Sequence, residues 1–148
     1  MEFKDVFPRL RQEKGLSQEA VAEQVFVTRQ AVSRWESGET LPSVETLRRL
    51  SALFDVSINT LLGAPRRLIC QRCGMPLEDA VMCREPDGSF NEGYCKWCRS
   101  EGSFPDQSLE ELIDFLVAQH FVPAWTDEQA RAFYAENLPK LDYWRTRG

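Results

Sequence analysis

The chain has one histidine in 148 residues, so no histidine-based acid–base pair can be assembled within it. No apolar run approaches the roughly 20 residues that a membrane span needs. The opening stretch, MEFKDVFPRLRQEKG, is charged and amphipathic and lacks the pattern of a signal peptide. There is no phosphate-binding glycine loop, no nucleophile–base set, no internal repeat and no low-complexity tract. Positive charge is also short: 18 Lys and Arg stand against 23 Asp and Glu, a net charge of -5. These absences point away from an enzyme and from a membrane protein. They leave a cytosolic, soluble chain of one ordinary domain or two small ones as the expectation.

What is present begins with Ser17–Gly38, SQEAVAEQVFVTRQAVSRWESG, which reads as two short helices joined by a tight turn. Ser17 and Thr28 stand where a hydroxyl caps a helix start. Val21, Ala22 and Val25 make one apolar face, and Ala31, Val32 and Trp35 make another at helical spacing. Arg29, Gln30, Ser33 and Arg34 stay outward on the second helix. These are donor-rich side chains of the kind that reach base edges and phosphates. A helix over 3–14 precedes them, with Phe3, Val6, Phe7 and Leu10 inward and Gly15 ending it. Pro8 is expected to delay its regular part to about Phe7, because proline removes a backbone donor. Ser43 caps a fourth helix with Leu47, Leu50, Leu53 and Phe54 inward, and Ser57 caps a fifth that ends at Leu62 and Gly63.

Ser17-Gln18-Glu19, Val27-Thr28-Arg29-Gln30 and Ser33-Arg34-Trp35-Glu36 together resemble the helix-turn-helix of the phage repressor and Cro (XRE) family. The likeness runs from about Phe3 to Gly63 and includes Leu41-Pro42 and Val56-Ser57-Ile58. It implies sequence-specific binding of double-stranded DNA, with helix 28–37 in the major groove. Arg29, Gln30 and Ser33 are then expected on bases, Arg34 on a base or a phosphate, and Gln18 on phosphate. Thr28 belongs to the same set at the helix start. It also implies a homodimer on a pseudo-palindrome, since one such unit covers a half-site. Phe26 departs from the family, which usually has glycine or another turn-former there. If that position needs a positive φ, either the turn is rearranged or Phe26 leans on a neighbour. Residues 1–64 carry eight Lys and Arg against nine Asp and Glu, so local placement of cations must steer any DNA encounter. Weak non-specific binding with strong salt sensitivity follows.

Gly63-Ala64-Pro65-Arg66-Arg67 reads as a linker, with 64–67 as its core. Beyond it, residues 68–104 show no helical stripe, and Pro86-Asp87-Gly88-Ser89 is a turn signature between short extended pieces. Cys70-x2-Cys73 and Cys95-x2-Cys98 enclose twenty-one residues, a spacing suited to one tetrahedral zinc ion. Gly74 is suited to a turn whose amides approach the thiolates. Four thiolates fill the coordination sphere, so the expected Zn2+ is structural. Two disulfides are disfavoured in the cytosol, and neither pair shows the helix N-terminus a redox-active thiol needs. Leu109, Leu112, Ile113, Leu116 and Val117 then make a helical stripe, and Thr126 with Gln129 makes a capping box for another helix.

Cys70-Gln71-Arg72-Cys73-Gly74-Met75-Pro76, Asp87-Gly88-Ser89 and Tyr94-Cys95-Lys96-Trp97-Cys98 resemble a small bacterial zinc ribbon family. Gly102-Ser103-Phe104 and the closing Leu138-Pro139-Lys140-Leu141 with Trp144 continue the likeness, with Asp142 a minor departure. It implies a fold and a metal but no activity.

The expected architecture is mainly α: a five-helix repressor-like DNA-binding domain over 1–63, a 64–67 linker, and a four-cysteine zinc ribbon with short β pieces and C-terminal helices over 68–148. Within the last part the ribbon takes 68–104 and the helical segment 105–148. Cys83 is read as buried packing, with a reactive thiol as the lesser reading. His120 extends the Leu116–Val117 stripe and is expected as a satisfied or half-exposed core residue. Glu110, Glu111 and Asp114 form a solvated acidic face. Trp97, Phe121, Trp125, Tyr143 and Trp144 are expected mostly in the core, with one or two left for an interface. The leading function is a transcriptional regulator, with repression ahead of activation. Two readings stay open beside it: a metal- or redox-responsive sensor, and an antitoxin-like protein-interaction module with an effector or protein partner.

Overall fold

A computed structural model describes residues 1–147; Gly148, the end of the expected C-terminal segment, lies outside the described residues. The chain divides into two compact units, one formed by residues 1–67 with 87–90 and the other by the remaining described residues.

In the first unit, α1 (Phe3–Glu13), α2 (Gln18–Gln24), α3 (Arg29–Ser37), α4 (Val44–Phe54) and α5 (Ile58–Leu61) follow in order. Ser17, Thr28, Ser43 and Ser57 each accept the third amide of their helix, from Ala20, Ala31, Thr46 and Thr60 at 3.0–3.2 Å. Each hydroxyl satisfies a donor the helix start would otherwise leave orphaned. The core gathers one face of every helix: Phe3 and Phe7 from α1, Val21 and Ala22 from α2, Val32 and Trp35 from α3, Leu47 and Leu50 from α4, Leu61 from α5. Phe3 and Phe7 stack at 5.3 Å, and both meet Trp35 edge-on at 6.3 and 5.8 Å. Trp35 therefore fixes α3 against α1 from the inner side of the helix. At the far end Gly63 has φ +88, and a Cβ there would lie 2.1 Å from the Met1 carbonyl oxygen. Only glycine lets the close of this unit meet its beginning.

Pro8 corrects the expectation for α1. The helix starts at Phe3, with Pro8 inside it. The Asp5 carboxylate takes the Glu2 amide at 2.9 Å, and Phe3 and Val6 are buried, so the first turn is pinned before Pro8 is reached. That packing offsets the backbone bond that proline cannot make.

Phe26 takes φ +60 and leaves the turn regular: the Val27 amide reaches the Ala22 carbonyl at 3.0 Å. The ring is 78 % exposed and carries the Arg49 guanidinium 4.9 Å above it. The side chain thus leans on a neighbour in compensation for a left-handed backbone that costs about 1–2 kcal/mol. Phe26→Ala keeps the strain and loses the stacking, whereas Phe26→Gly loses both. Urea unfolding should place the glycine variant about 1 kcal/mol above the alanine variant. The reverse order would mean that the turn does not hold a positive φ in solution.

The second unit contains a hairpin, β1 (Met82–Arg84) with β2 (Phe90–Cys95), then α6 (Leu109–Gln119), α7 (Asp127–Asn137), a 3-10 turn over Leu138–Lys140 and α8 (Asp142–Arg145). In the hairpin turn the Asp87 carboxylate accepts from the Ser89 amide at 2.9 Å and its hydroxyl at 2.6 Å. Capping boxes open α6 at Ser108–Glu111 and α7 at Thr126–Gln129. Leu112, Ile113, Leu116, Val117 and Leu138 form the core of this part. Between residues 68 and 104, apart from cysteines, Leu77 and Met82 are the buried apolar side chains.

One expectation changes here. His120 is not on the apolar stripe: it is the left-handed C-cap of α6 at φ 52, exposed, with Nδ1 3.5 Å from Asp127. A polar residue that tolerates positive φ ends the helix, and the backbone turn carries its ring away from Leu116. The aromatics also divide. Tyr143 is buried and Trp144 half-buried, but Trp97 and Phe121 are 64 % and 65 % exposed. Core packing does not account for the exposed pair.

Candidate metal centre and nucleic-acid interface

Each Cys-x2-Cys pair sits on a tight turn. The Cys70 carbonyl accepts the Gly74 amide at 2.8 Å, and the Cys95 carbonyl accepts the Cys98 and Arg99 amides at 3.2 and 3.1 Å. Gly74 has the positive φ expected of it, +80, but its amide is spent on that carbonyl and not on a sulfur. The turns bring the four Sγ atoms within 4.8 Å of one another. Cys73 and Cys95 are 3.8 Å apart, which matches the edge of about 3.8 Å that a tetrahedron with metal–sulfur bonds near 2.3 Å requires. All five cysteines are free thiols, and Cys70, Cys95 and Cys98 are buried.

Four sulfurs so close cannot ionise independently. Their mutual hydrogen bonds, from Cys73, Cys95 and Cys98, hold the Cys70 thiol far below its ordinary range. The Cys73 and Cys98 thiols are pushed up instead, first by Cys70. The Cys95 thiol is lowered to about 7: Cys70 pushes it up, but hydrogen bonds from Cys73 and Cys98 outweigh this. Thiols crowded this closely favour a shared divalent cation. The donor set fits zinc.

Arg72, inside the first Cys pair, is a residue the motif reading passed over. It is 1 % exposed, and its guanidinium donates to Cys98 Sγ at 3.5 Å and to Gln107 Oε1 at 3.0 Å. The Tyr143 and Trp144 rings cover it at 5.1 and 5.4 Å. A buried cation beside a cluster of thiolates lowers its net negative charge. The closing motif docks on the same turn: Trp144 Nε1 donates to the Arg72 carbonyl at 2.8 Å and the Tyr143 amide to the Gln71 carbonyl at 3.1 Å. A basic residue between two paired cysteines was the available signal. Cys83 stands outside the cluster, buried in β1, and burial pushes its thiol up.

In the first unit, Arg29, Gln30, Ser33 and Arg34 all lie exposed on α3. Thr28 is committed to capping, accepting the Ala31 amide at 3.1 Å. Gln18 is half-buried at the start of α2, and its Nε2 donates to Glu36 Oε2 at 2.7 Å. Arg11 donates to the other oxygen of Glu36 at 2.9 Å and to the Leu16 carbonyl at 3.0 Å. Glu36 thereby ties α1 and α2 to α3, and the ion pair is largely shielded, with side chains 15 % exposed at Arg11 and 14 % at Glu36. Trp35 holds the helix from within and Glu36 from its flank, so the four exposed donors stand on an immobilised face. Arg11 carries no motif signal, and Glu36 belongs to the Ser33–Glu36 motif without any sign there of its partners.

Two family models match the chain: "Helix-turn-helix" over residues 9–61 and "Putative zinc ribbon domain" over residues 69–145. Among curated relatives, YonR, an SPbeta prophage-derived uncharacterized HTH-type transcriptional regulator of Bacillus subtilis strain 168, is 35 % identical over 119 residues. That match covers 80 % of this chain and 96 % of the relative. YqaE, an uncharacterized HTH-type transcriptional regulator of the same strain, is 33 % identical over 117 residues, covering 79 % and 91 %. The HTH-type transcriptional activator BcrR of Enterococcus faecalis is 47 % identical over 63 residues, or 43 % of this chain, which spans 31 % of that protein's length. Among the described residues no helix is long and apolar enough to cross a membrane.

Proposed function

The chain belongs to the zinc ribbon family matched over residues 69–145, with a helix-turn-helix before it, and we propose that it is a sequence-specific DNA-binding transcriptional regulator. The observation that carries this reading is the exposed donor face of α3, held between Trp35 and the Arg11–Glu36–Gln18 network. In this reading residues 1–63 form the DNA-binding domain, 64–67 the linker and 68–148 the metal-stabilised module. α3 lies in the major groove, where Arg29, Gln30 and Ser33 contact base edges and Arg34 a base or phosphate. Thr28 sets the helix start. Gln18 supports it through Glu36, and the second N–H of its Nε2, at the start of α2, is the donor for the phosphate backbone. Cys70, Cys73, Cys95 and Cys98 hold one structural Zn2+, since four thiolates leave no open coordination position. A homodimer reads two half-sites one helical turn apart. Repression by occupying a promoter needs nothing beyond DNA binding and is the mode assigned; the E. faecalis relative is named an activator.

Selection of bound duplexes from a random pool, with zinc measured on the same sample, tests this reading. Enrichment of a two-fold symmetric sequence with about one zinc per chain is the expected result. Recovery of no sequence preference from zinc-loaded protein would overturn it.

A further inference from the structure

The second unit contains an apolar groove of about 1300 Å³, bounded by α6, α7 and the two cysteine turns. Its walls are the aromatics that the core does not use: Trp97, Phe115, Phe121, Trp125 and Phe133. Trp125 and Phe133 are tilted together at 5.0 Å, and Phe115 is 53 % exposed. Its floor is sulfur, since Cys73, Cys95 and Cys98 all line it. Two carboxylates, Asp106 and Glu111, stand on the rim, with Lys140 as the ammonium among the lining residues. Arg72 also lines the groove, but it is buried and donates to Cys98 and Gln107.

We propose that this groove binds bulky aromatic or apolar organic cations. Aromatic faces attract a cation through their quadrupoles, and water excluded by the walls strengthens that attraction. One ring already does this within the chain: the Lys96 ammonium lies 4.9 Å from the centroid of Trp97. With a divalent metal in place, four thiolates leave a net negative floor, which Arg72 offsets by one charge. The floor argument rests on the structural-zinc reading; the aromatic walls and the two carboxylates do not. The volume is somewhat above the roughly 300–1,000 Å³ of drug-sized pockets and accommodates a bulky molecule. An aliphatic helix face laid into the groove would cover the negative floor without compensating it, which is costly. A second copy meeting the groove across a two-fold axis would bring acidic rim against acidic rim. An organic cation answers both the apolar walls and the negative floor.

The test is a titration of the full-length, zinc-assayed protein with tetraphenylphosphonium and with its isosteric anion tetraphenylborate. Equilibrium dialysis and quenching of tryptophan fluorescence supply the readouts. The cation should bind about tenfold more tightly than the anion at low salt. In Asp106→Asn/Glu111→Gln the preference should shrink to about threefold or less, and glutamine keeps the capping box of α6 intact. Phe121→Ala combined with Trp125→Ala should weaken both ions, because these rings are exposed or half-buried and their removal leaves the core in place. Equal affinity for the two ions, no binding of the cation to zinc-loaded protein, or an unchanged preference in the carboxylate variant would each overturn the proposal. So would cation binding that appears only on dilution of a dimer, which would give the groove to a second copy. Zinc-free protein is scored separately by its metal content, so loss of the centre is not mistaken for an empty groove.

Discussion

Stripping the metal from the full chain with a chelator is expected to unfold residues 68–147 and leave 1–67 folded. Structural zinc in small modules supplies on the order of 10 kcal/mol of folding free energy. The ribbon has little to replace it. Leu77 and Met82 are its only buried apolar side chains outside the cysteines, among the described residues, and each contributes about 2 kcal/mol. The α6–α7 core is tied to the same turn, since Cys73 packs on it and Trp144 and Tyr143 hydrogen-bond to Arg72 and Gln71. Loss of the turn should therefore propagate to the C-terminus. Near-UV circular dichroism and the indole NMR signal of Trp144 report the second unit, and the indole signal of Trp35 reports the first. Cys70→Ser should reproduce the chelator's effect, and Cys83→Ser should not, because Cys83 lies outside the cluster. A Trp144 signal unchanged in metal-free protein would show that α6, α7 and α8 stand without the metal, and the structural assignment of the centre would fall.

Arg29→Ala with Gln30→Ala is expected to abolish operator selectivity while leaving stability within about 0.5 kcal/mol, because both side chains are exposed. A good base contact discriminates by roughly 1–3 kcal/mol, so losing two should cost on the order of a hundredfold in specific affinity. Binding to unrelated DNA should fall much less, with a shallower salt dependence, since one cation has gone. Arg34→Ala then separates its two candidate roles. A uniform loss across sequences with a salt slope lower by about one marks a phosphate contact; a changed preference at one base pair marks base readout. Unchanged selectivity in the double variant would remove α3 as the reading helix.

Most of the local rules are legible along the chain. Four serine or threonine caps, the Thr126–Gln129 capping box, the turn after Pro86 and the paired cysteines each depend on residues within a few positions of one another. The physics of such motifs is short-range, so spacing is enough to read them. Phe26 is legible only as a choice between a rearranged turn and a ring leaning on a neighbour; the positive φ and the Arg49 contact decide it. Pro8 points to a later helix start because its penalty is local, while the compensation, burial of Phe3 and Val6, is not. His120 was misjudged because helical periodicity continues on paper past the residue at which the backbone turns left-handed.

The partners of the residues that complete both sites are not legible in the sequence, for a related reason. Glu36 joins Arg11 and Gln18 across 25 and 18 positions, and Arg72 meets Cys98 and Gln107 across 26 and 35. Burial turns these ordinary surface-type charges into fixed partners, and no spacing announces burial. The aromatic groove has the same origin: the pattern counted the rings, but only the packing decided which were spent. Sequence alone determined most of the helices, the pairing of the four cysteines and the outward face of α3, because each is written in neighbours. Tertiary structure decided how that face is held, what neutralises the cysteine centre and which aromatics remain open, because those depend on which distant groups exclude water together.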